Sequence, residues 1–227
     1  MGEVDFEAHR RQLVEMLKFQ GILRDPEVIR AMLTVPRENF VPEHLKEDAY
    51  IDSPLPISKG QTISAPHMVA MMCEALEVKE GYRILEVGAG SGYHAAVIAE
   101  AISPKGGRGQ GHIYTIEIVE ELGKFAERNL ERTSYGRTVT VIRGDGSKGL
   151  PEHAPFDRIL VTASAPSAPQ PLIDQLKLGG ILVTPIGAPY SFQTLRLVRK
   201  NLAGEMKVSD LCGVSFVPLR GEYGWKD

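Results

Sequence analysis

The chain has 227 residues, 26 Lys+Arg against 29 Asp+Glu, a formal charge of −3 and 43% hydrophobic residues. That length can bury a full core, and this balance of apolar and charged residues excludes a disordered chain. It also excludes the basic excess that marks a nucleic-acid partner. No run of 18 apolar residues exists to span a membrane. The polar, acidic start Met1-Gly2-Glu3-Val4-Asp5 is unlike a secretory signal, so a cytoplasmic protein is expected.

Residues 6–20 carry Leu13, Met16 and Leu17 at helical spacing, and Gly21 interrupts them. Asp25-Pro26 reads as a helix start, a capping carboxylate followed by a residue that needs no donor. Val28, Ile29, Met32 and Leu33 form the apolar face of that helix. Residues 34–62 hold Pro36, Pro42, Pro54 and Pro56 and read as a long irregular connection. Its Phe40, Val41, Tyr50, Ile51, Leu55 and Ile57 argue for order. A further helix follows Ser64, with Met68, Val69, Met72, Ala75 and Leu76 on one side.

From residue 83 short apolar runs alternate with helical stretches. The strands are expected at 83–87, 112–118, 139–143, 157–162 and 180–185, and the helices at 93–101, 120–133 and 171–176. This alternation is the signature of a doubly wound, mostly parallel α/β sheet with helices on both faces. The runs 193–199 and 208–218 flank Asn201-Leu202-Ala203-Gly204 and read as a hairpin, so the sheet should end in antiparallel strands. The whole chain is expected to form one domain. Residues 1–78 make a helical extension, 79–190 the ligand-binding core and 191–227 the antiparallel strands. Lys105–Gly111 is a basic, glycine-rich insert between a helix and a strand.

Cys73 and Cys212 form no CxxC and read as buried thiols of a reducing compartment. His9, His44, His67, His94, His112 and His153 show no metal-ligand spacing, so no metal is expected.

The strongest local signal is Glu86-Val87-Gly88-Ala89-Gly90-Ser91-Gly92, where an apolar strand runs through three glycines into a helix. Such a turn lets backbone approach a ligand at a helix N-terminus. The dinucleotide fingerprint needs its third Gly where Tyr93 stands. Two more acids follow: Glu117 at the end of the next strand, and Asp145 after the third. A carboxylate at a strand end can take both hydroxyls of a ribose, and ligands of open α/β sheets bind along that edge.

The E-x-G-x-G-x-G loop resembles motif I of the S-adenosylmethionine methyltransferases. Beyond it, Pro36-Arg37-Glu38-Asn39-Phe40-Val41-Pro42, Tyr50–Pro56 (YIDSPLP), Gly60–Met68 (GQTISAPHM) and Phe216-Val217-Pro218-Leu219 resemble segments of the protein-L-isoaspartate O-methyltransferases. They occur in order between about residues 10 and 220. Val69, where many relatives carry a second His, and the 105–111 insert are departures.

The resemblance implies a Rossmann-like methyltransferase fold, with the last two strands exchanged relative to the usual methyltransferase sheet. It implies transfer of a methyl group from S-adenosyl-L-methionine to the α-carboxylate of L-isoaspartyl residues. S-adenosyl-L-homocysteine is the product, and a succinimide then begins repair. It further implies cofactor residues Glu86, Gly88, Gly90, Gly92, Glu117, Ile118, Asp145 and Gly146. Ser64 would be the catalytic residue, orienting the acceptor. Ser58, Thr62, Ile63, His67, Val217 and Arg220 would contact the substrate. The residues alone leave Ser64 open between this role and an N-cap, and His67 and Arg220 open between substrate contact and a structural or solvated role. The expected partners are isoaspartyl proteins and peptides, with neither nucleic acid nor membrane, and the expected state is a monomer. The alternative is a methyltransferase of the same fold acting on a small molecule or RNA, which would not share the 36–68 segments.

Overall fold

The computed structural model describes residues 4–104 and 110–226. Most of the basic insert therefore lies outside the described residues. Three helices come first: α1 (Phe6–Phe19), α2 (Pro26–Thr34) and α3 (Pro66–Leu76). The α2 start is built as its sequence suggests, with Asp25 accepting the N–H groups of Glu27 and Val28 and Pro26 in the first turn. Between α2 and α3 the chain makes 3-10 turns and a short antiparallel pair, β1 (Leu55–Pro56) with β2 (Thr62–Ile63).

A seven-stranded sheet follows: β3 (Arg83–Val87), β4 (His112–Glu117), β5 (Val139–Arg143), β6 (Phe156–Val161), β7 (Leu176–Ile186), β8 (Gln193–Lys200) and β9 (Met206–Val214). The order across it is β5-β4-β3-β6-β7-β8-β9. Strands β5 through β7 are mutually parallel, and β8 and β9 add as an antiparallel meander. The crossover helices are α4 (Tyr93–Ile102), α5 (Glu120–Arg132) and α6 (Gln170–Asp174).

The strands sort their side chains to two cores because successive residues point to opposite faces. Ile84 and Leu160 join the core with α1 to α5, whereas Leu85, Ile159 and Val161 join the core under α6. The chain therefore winds one way from β3 through β4 to β5 and the other way from β6 to β7. The switch point falls between β3 and β6, where open α/β sheets bind ligands beyond the strands' carboxyl ends.

Two boundaries differ from the sequence reading by more than two residues. β7 spans eleven residues rather than six, because it begins at Leu176 opposite Phe156 and continues across an irregularity in its pairing with β6. The last apolar run leaves the sheet at Val214. Its continuation pairs instead with the loop after β6: the Ser164 N–H donates to the Val217 carbonyl and the Leu219 N–H to that of Ser164, each at 2.8 Å.

Candidate active site

Three strand ends converge at the switch point. The β3 end turns through Gly88, whose φ of +102° favours glycine. A Cβ there would stand 2.3 Å from Thr162 Oγ1, just past β6. Thr162 donates that hydroxyl to the Gly88 carbonyl at 2.8 Å. Gly92, at φ +83°, caps α4.

At the β4 end the carboxylate of Glu117, almost wholly buried, accepts the Gly90 N–H at Oε2 and the Val119 N–H at Oε1, each at 2.9 Å. These bonds fix its plane and leave each oxygen a further lone pair.

Glu86 lies beneath this loop and does not line the cleft. Thr115 Oγ1 donates to its Oε2 at 2.5 Å, and its Oε1 is buried without a partner. Burial pushes its carboxyl up to about 8, against the Thr115 hydrogen bond and helped by the charge of Glu117.

The cleft above encloses about 840 Å³ of space when its open mouth is included. It is lined by Gly88, Gly90, Glu117, Ile118 and Gly146 together with Thr62, Ile63, Ser64, Val217 and Arg220. Ser58, His67, Glu86, Gly92 and Asp145 do not reach its wall.

Asp145 is committed elsewhere. Its Oδ1 accepts the Ser147 N–H (3.0 Å) and hydroxyl (2.6 Å), and its Oδ2 accepts the Glu222 N–H (2.8 Å). Burial opposes its ionisation, but these hydrogen bonds and Lys148 outweigh it and hold the carboxyl below its usual range.

The N-cap alternative for Ser64 does not hold. α3 starts at Pro66 with Ala65 at the cap position and no side-chain cap bond. Asp52 does the work from outside the helix, its Oδ1 accepting the His67 N–H at 2.8 Å and meeting His67 Nδ1 at 2.9 Å. His67 is thereby held away from the cleft. The half-buried Ser64 keeps a hydroxyl with no hydrogen bond to the described residues, on the cleft wall.

Sequence reasoning missed Thr162, Ala163, Tyr93 and His94, which also line the cleft. The first two were accessible from the switch-point rule, since the expected fourth strand ended at Thr162. His94 is buried on the wall with Nε2 3.4 Å from Cys73 Sγ, and burial followed by the charge of Arg37 pushes its pKa down to about 3.

The donor set suits S-adenosylmethionine. Gly88, Gly90 and Gly146 bring bare backbone to the cleft wall, and the Glu117 carboxylate can take two vicinal hydroxyls. A parallel sheet with this loop and acid at its switch point defines an S-adenosylmethionine-dependent methyltransferase.

Comparison with known proteins narrows the class. The model of the protein-L-isoaspartate(D-aspartate) O-methyltransferase family matches residues 8–224. The chain is 57% identical over 224 residues to the protein-L-isoaspartate O-methyltransferase of Hyperthermus butylicus, covering 98% of this chain and 92% of that one. It is 48% identical over 227 residues to that of Pyrococcus horikoshii, each chain being covered in full. A Plasmodium falciparum chain described as a protein-L-isoaspartate O-methyltransferase, solved with S-adenosyl-L-homocysteine, superposes with a TM-score of 0.81 at 32% identity. That match covers 96% of this chain and 99% of the other. The chain belongs to the protein-L-isoaspartate(D-aspartate) O-methyltransferase family and methylates isoaspartyl residues with S-adenosylmethionine as donor.

Proposed function

We propose that Ser64 orients the α-carboxylate of an L-isoaspartyl residue beside a cofactor held by Glu117, the Gly88–Gly90 backbone and Gly146. The observation that carries this reading is the uncommitted Ser64 hydroxyl on the wall of the cleft that Glu117 also lines. When bound, S-adenosylmethionine supplies an electrophilic methyl group on a sulfonium centre.

The acceptor carboxylate is ionised at neutral pH, its free pKa being roughly 3–4. No general base is required, and the cleft wall agrees: its histidine, His94, is held neutral at about 3 and buried. What remains for the protein is alignment and exclusion of water. Orientation alone can supply about 7–11 kcal/mol of barrier reduction. Thr62 and Ser64 offer hydroxyls to the acceptor. Val217 and Arg220, carried by the segment paired with Ser164, wall the substrate's flank.

The ester formed would cyclise to a succinimide, whose hydrolysis returns some normal aspartate. The enzyme would act as a cytoplasmic monomer on proteins and peptides; a net charge of −3 supports the preference for these over nucleic acid. No helix among the described residues is long and apolar enough to cross a membrane.

The test is labelled methyl transfer to two peptides of one sequence, one with L-isoaspartate and one with aspartate. Transfer to the isoaspartyl peptide alone is expected. Transfer to neither, with cofactor binding intact, would refute the acceptor assignment.

A further inference from the structure

Arg37 opens a 3-10 turn, Arg37–Asn39, in the connection after α2, and its side chain is wholly buried. Nε donates to the Ala49 carbonyl and Nη2 to the Ser64 carbonyl, each at 2.8 Å. Nη1 is buried with no hydrogen-bond partner. The guanidinium lies over the Tyr93 ring, 4.8 Å from its centroid.

Among the described residues no carboxylate approaches it to ion-pair distance. Glu38, next in sequence, is bound by Arg10 at 3.0 Å and by the Tyr50 hydroxyl. Asp52, the acid whose field reaches it, is occupied by His67. A guanidinium stays protonated in proteins, and burying a charge without a partner is unfavourable. A packed apolar side chain would avoid that cost but strand the Ala49 and Ser64 carbonyls; a neutral donor could serve a carbonyl, so it is the charge itself that the contacts within the described residues leave unexplained.

Its location indicates a use. Two of the groups it touches, Ser64 and Tyr93, line the cleft. Its field also reaches the wall at His94, where it adds to burial in keeping the imidazole neutral. The guanidinium is therefore one residue behind the surface assigned to the acceptor, in surroundings that screen it poorly.

We propose that Arg37 is a positioning residue for the acceptor: it fixes the Ser64 main chain, and its unpaired charge favours a carboxylate over a neutral group in the acceptor site. The inference rests on the assignment of Ser64 to that site. Arg37 touches no substrate atom. It acts through Ser64 and through its field.

The experiment measures dissociation constants of two peptides in the presence of saturating S-adenosylhomocysteine. One carries L-isoaspartate and the other L-isoasparagine, in which the α-carboxylate is an α-carboxamide. Wild-type protein is expected to prefer the carboxylate. Arg37→Gln, which keeps a donor for a carbonyl and removes the charge, should shrink that preference at least tenfold while S-adenosylhomocysteine affinity stays within twofold.

Arg37→Lys, which keeps the charge but cannot bridge both carbonyls, should retain the preference and lower kcat. A purely structural Arg37 would weaken both peptides equally. An unchanged preference in Arg37→Gln would overturn the proposal. So would a preference lost in Arg37→Lys with cofactor affinity intact, and this second variant decides alone if Arg37→Gln does not fold. Ser64→Ala is measured in parallel: if it alters neither peptide affinity nor turnover, the fault lies in the acceptor-site assignment, not in Arg37.

Discussion

The carboxylate of Asp145 accepts the backbone N–H of Glu222, 77 residues further along the chain, at 2.8 Å. Gly221 makes this approach possible: its φ is +129°, and a Cβ there would lie 2.0 Å from Asp145 Oδ1. The bond ties the loop after β5 to the segment that carries Val217 and Arg220 into the cleft. A side chain expected to meet the cofactor thus anchors the segment that brings Val217 and Arg220 to the cleft, while its neighbour Gly146 lines the cleft.

Asp145→Ala should therefore raise KM for an isoaspartyl peptide severalfold with little change in S-adenosylhomocysteine affinity. Loss of charge-assisted hydrogen bonds should also destabilise the fold by about 1.5–3 kcal/mol. Calorimetric titration with S-adenosylhomocysteine decides the matter. A large loss of cofactor affinity with unchanged peptide KM would return Asp145 to a direct cofactor contact.

Gly88→Ala should be severe for two separable reasons. The added Cβ meets Thr162 Oγ1 at 2.3 Å, and φ +102° is strained for any L side chain. We expect a lower Tm and at least tenfold weaker S-adenosylhomocysteine binding. Thr162→Ala removes the steric part and leaves the backbone strain, so the double variant should recover part of the lost stability. Strict additivity of the two substitutions would show that the Gly88–Thr162 contact is not what excludes a side chain.

The parts of the fold that were legible in the sequence are those set by local pattern. Asp25-Pro26 starts α2 because cap and ring act within one turn, and the glycine loop and Glu117 sit at strand ends that alternation alone locates. Ser64 shows where local pattern stops. Ser-Ala-Pro resembles a cap, yet the acceptor for the His67 N–H comes from Asp52, fifteen residues earlier, an arrangement only tertiary contact creates. The extra length of β7 depends on pairing with Phe156, and the departure of Val217–Leu219 from the sheet depends on bonds to Ser164. Neither leaves a periodic trace. Arg37 belonged to a matched segment, but its link to Ser64 crosses 27 residues and appears only in the fold.

Ser64→Ala now has a cleaner expectation than the sequence allowed. A lost N-cap would cost about 0.5–2 kcal/mol, but this hydroxyl caps nothing. Tm should therefore be unchanged, as should S-adenosylhomocysteine affinity, while kcat falls on the order of ten- to a hundredfold through loss of alignment. Full turnover would remove Ser64 from the acceptor site. A lower Tm with turnover reduced only in proportion to unfolding would assign it a structural task.

Glu86 links the loop to pH. Its carboxyl is pushed from the ordinary 4.5 up to about 8 by burial, opposed by the Thr115 hydrogen bond and reinforced by the charge of Glu117. Between those two values the unfolded chain has lost this proton and the folded chain still holds it. Folding therefore takes up a proton, and stability falls as pH rises through that window, with a slope of up to about 1.4 kcal/mol per pH unit from this group. Below 4.5 and above 8 its contribution is flat. Glu86→Gln keeps an oxygen for Thr115 and places an amide where the unpaired Oε1 now lies, without ionising. The variant should lose this part of the decline and exceed the wild type in stability most clearly near pH 8, as read by thermal denaturation at pH 5, 6.5 and 8. A variant curve parallel to the wild type's across that range would mean that Glu86 is already ionised in the native protein, and that its unpaired oxygen is stabilised by something other than a proton.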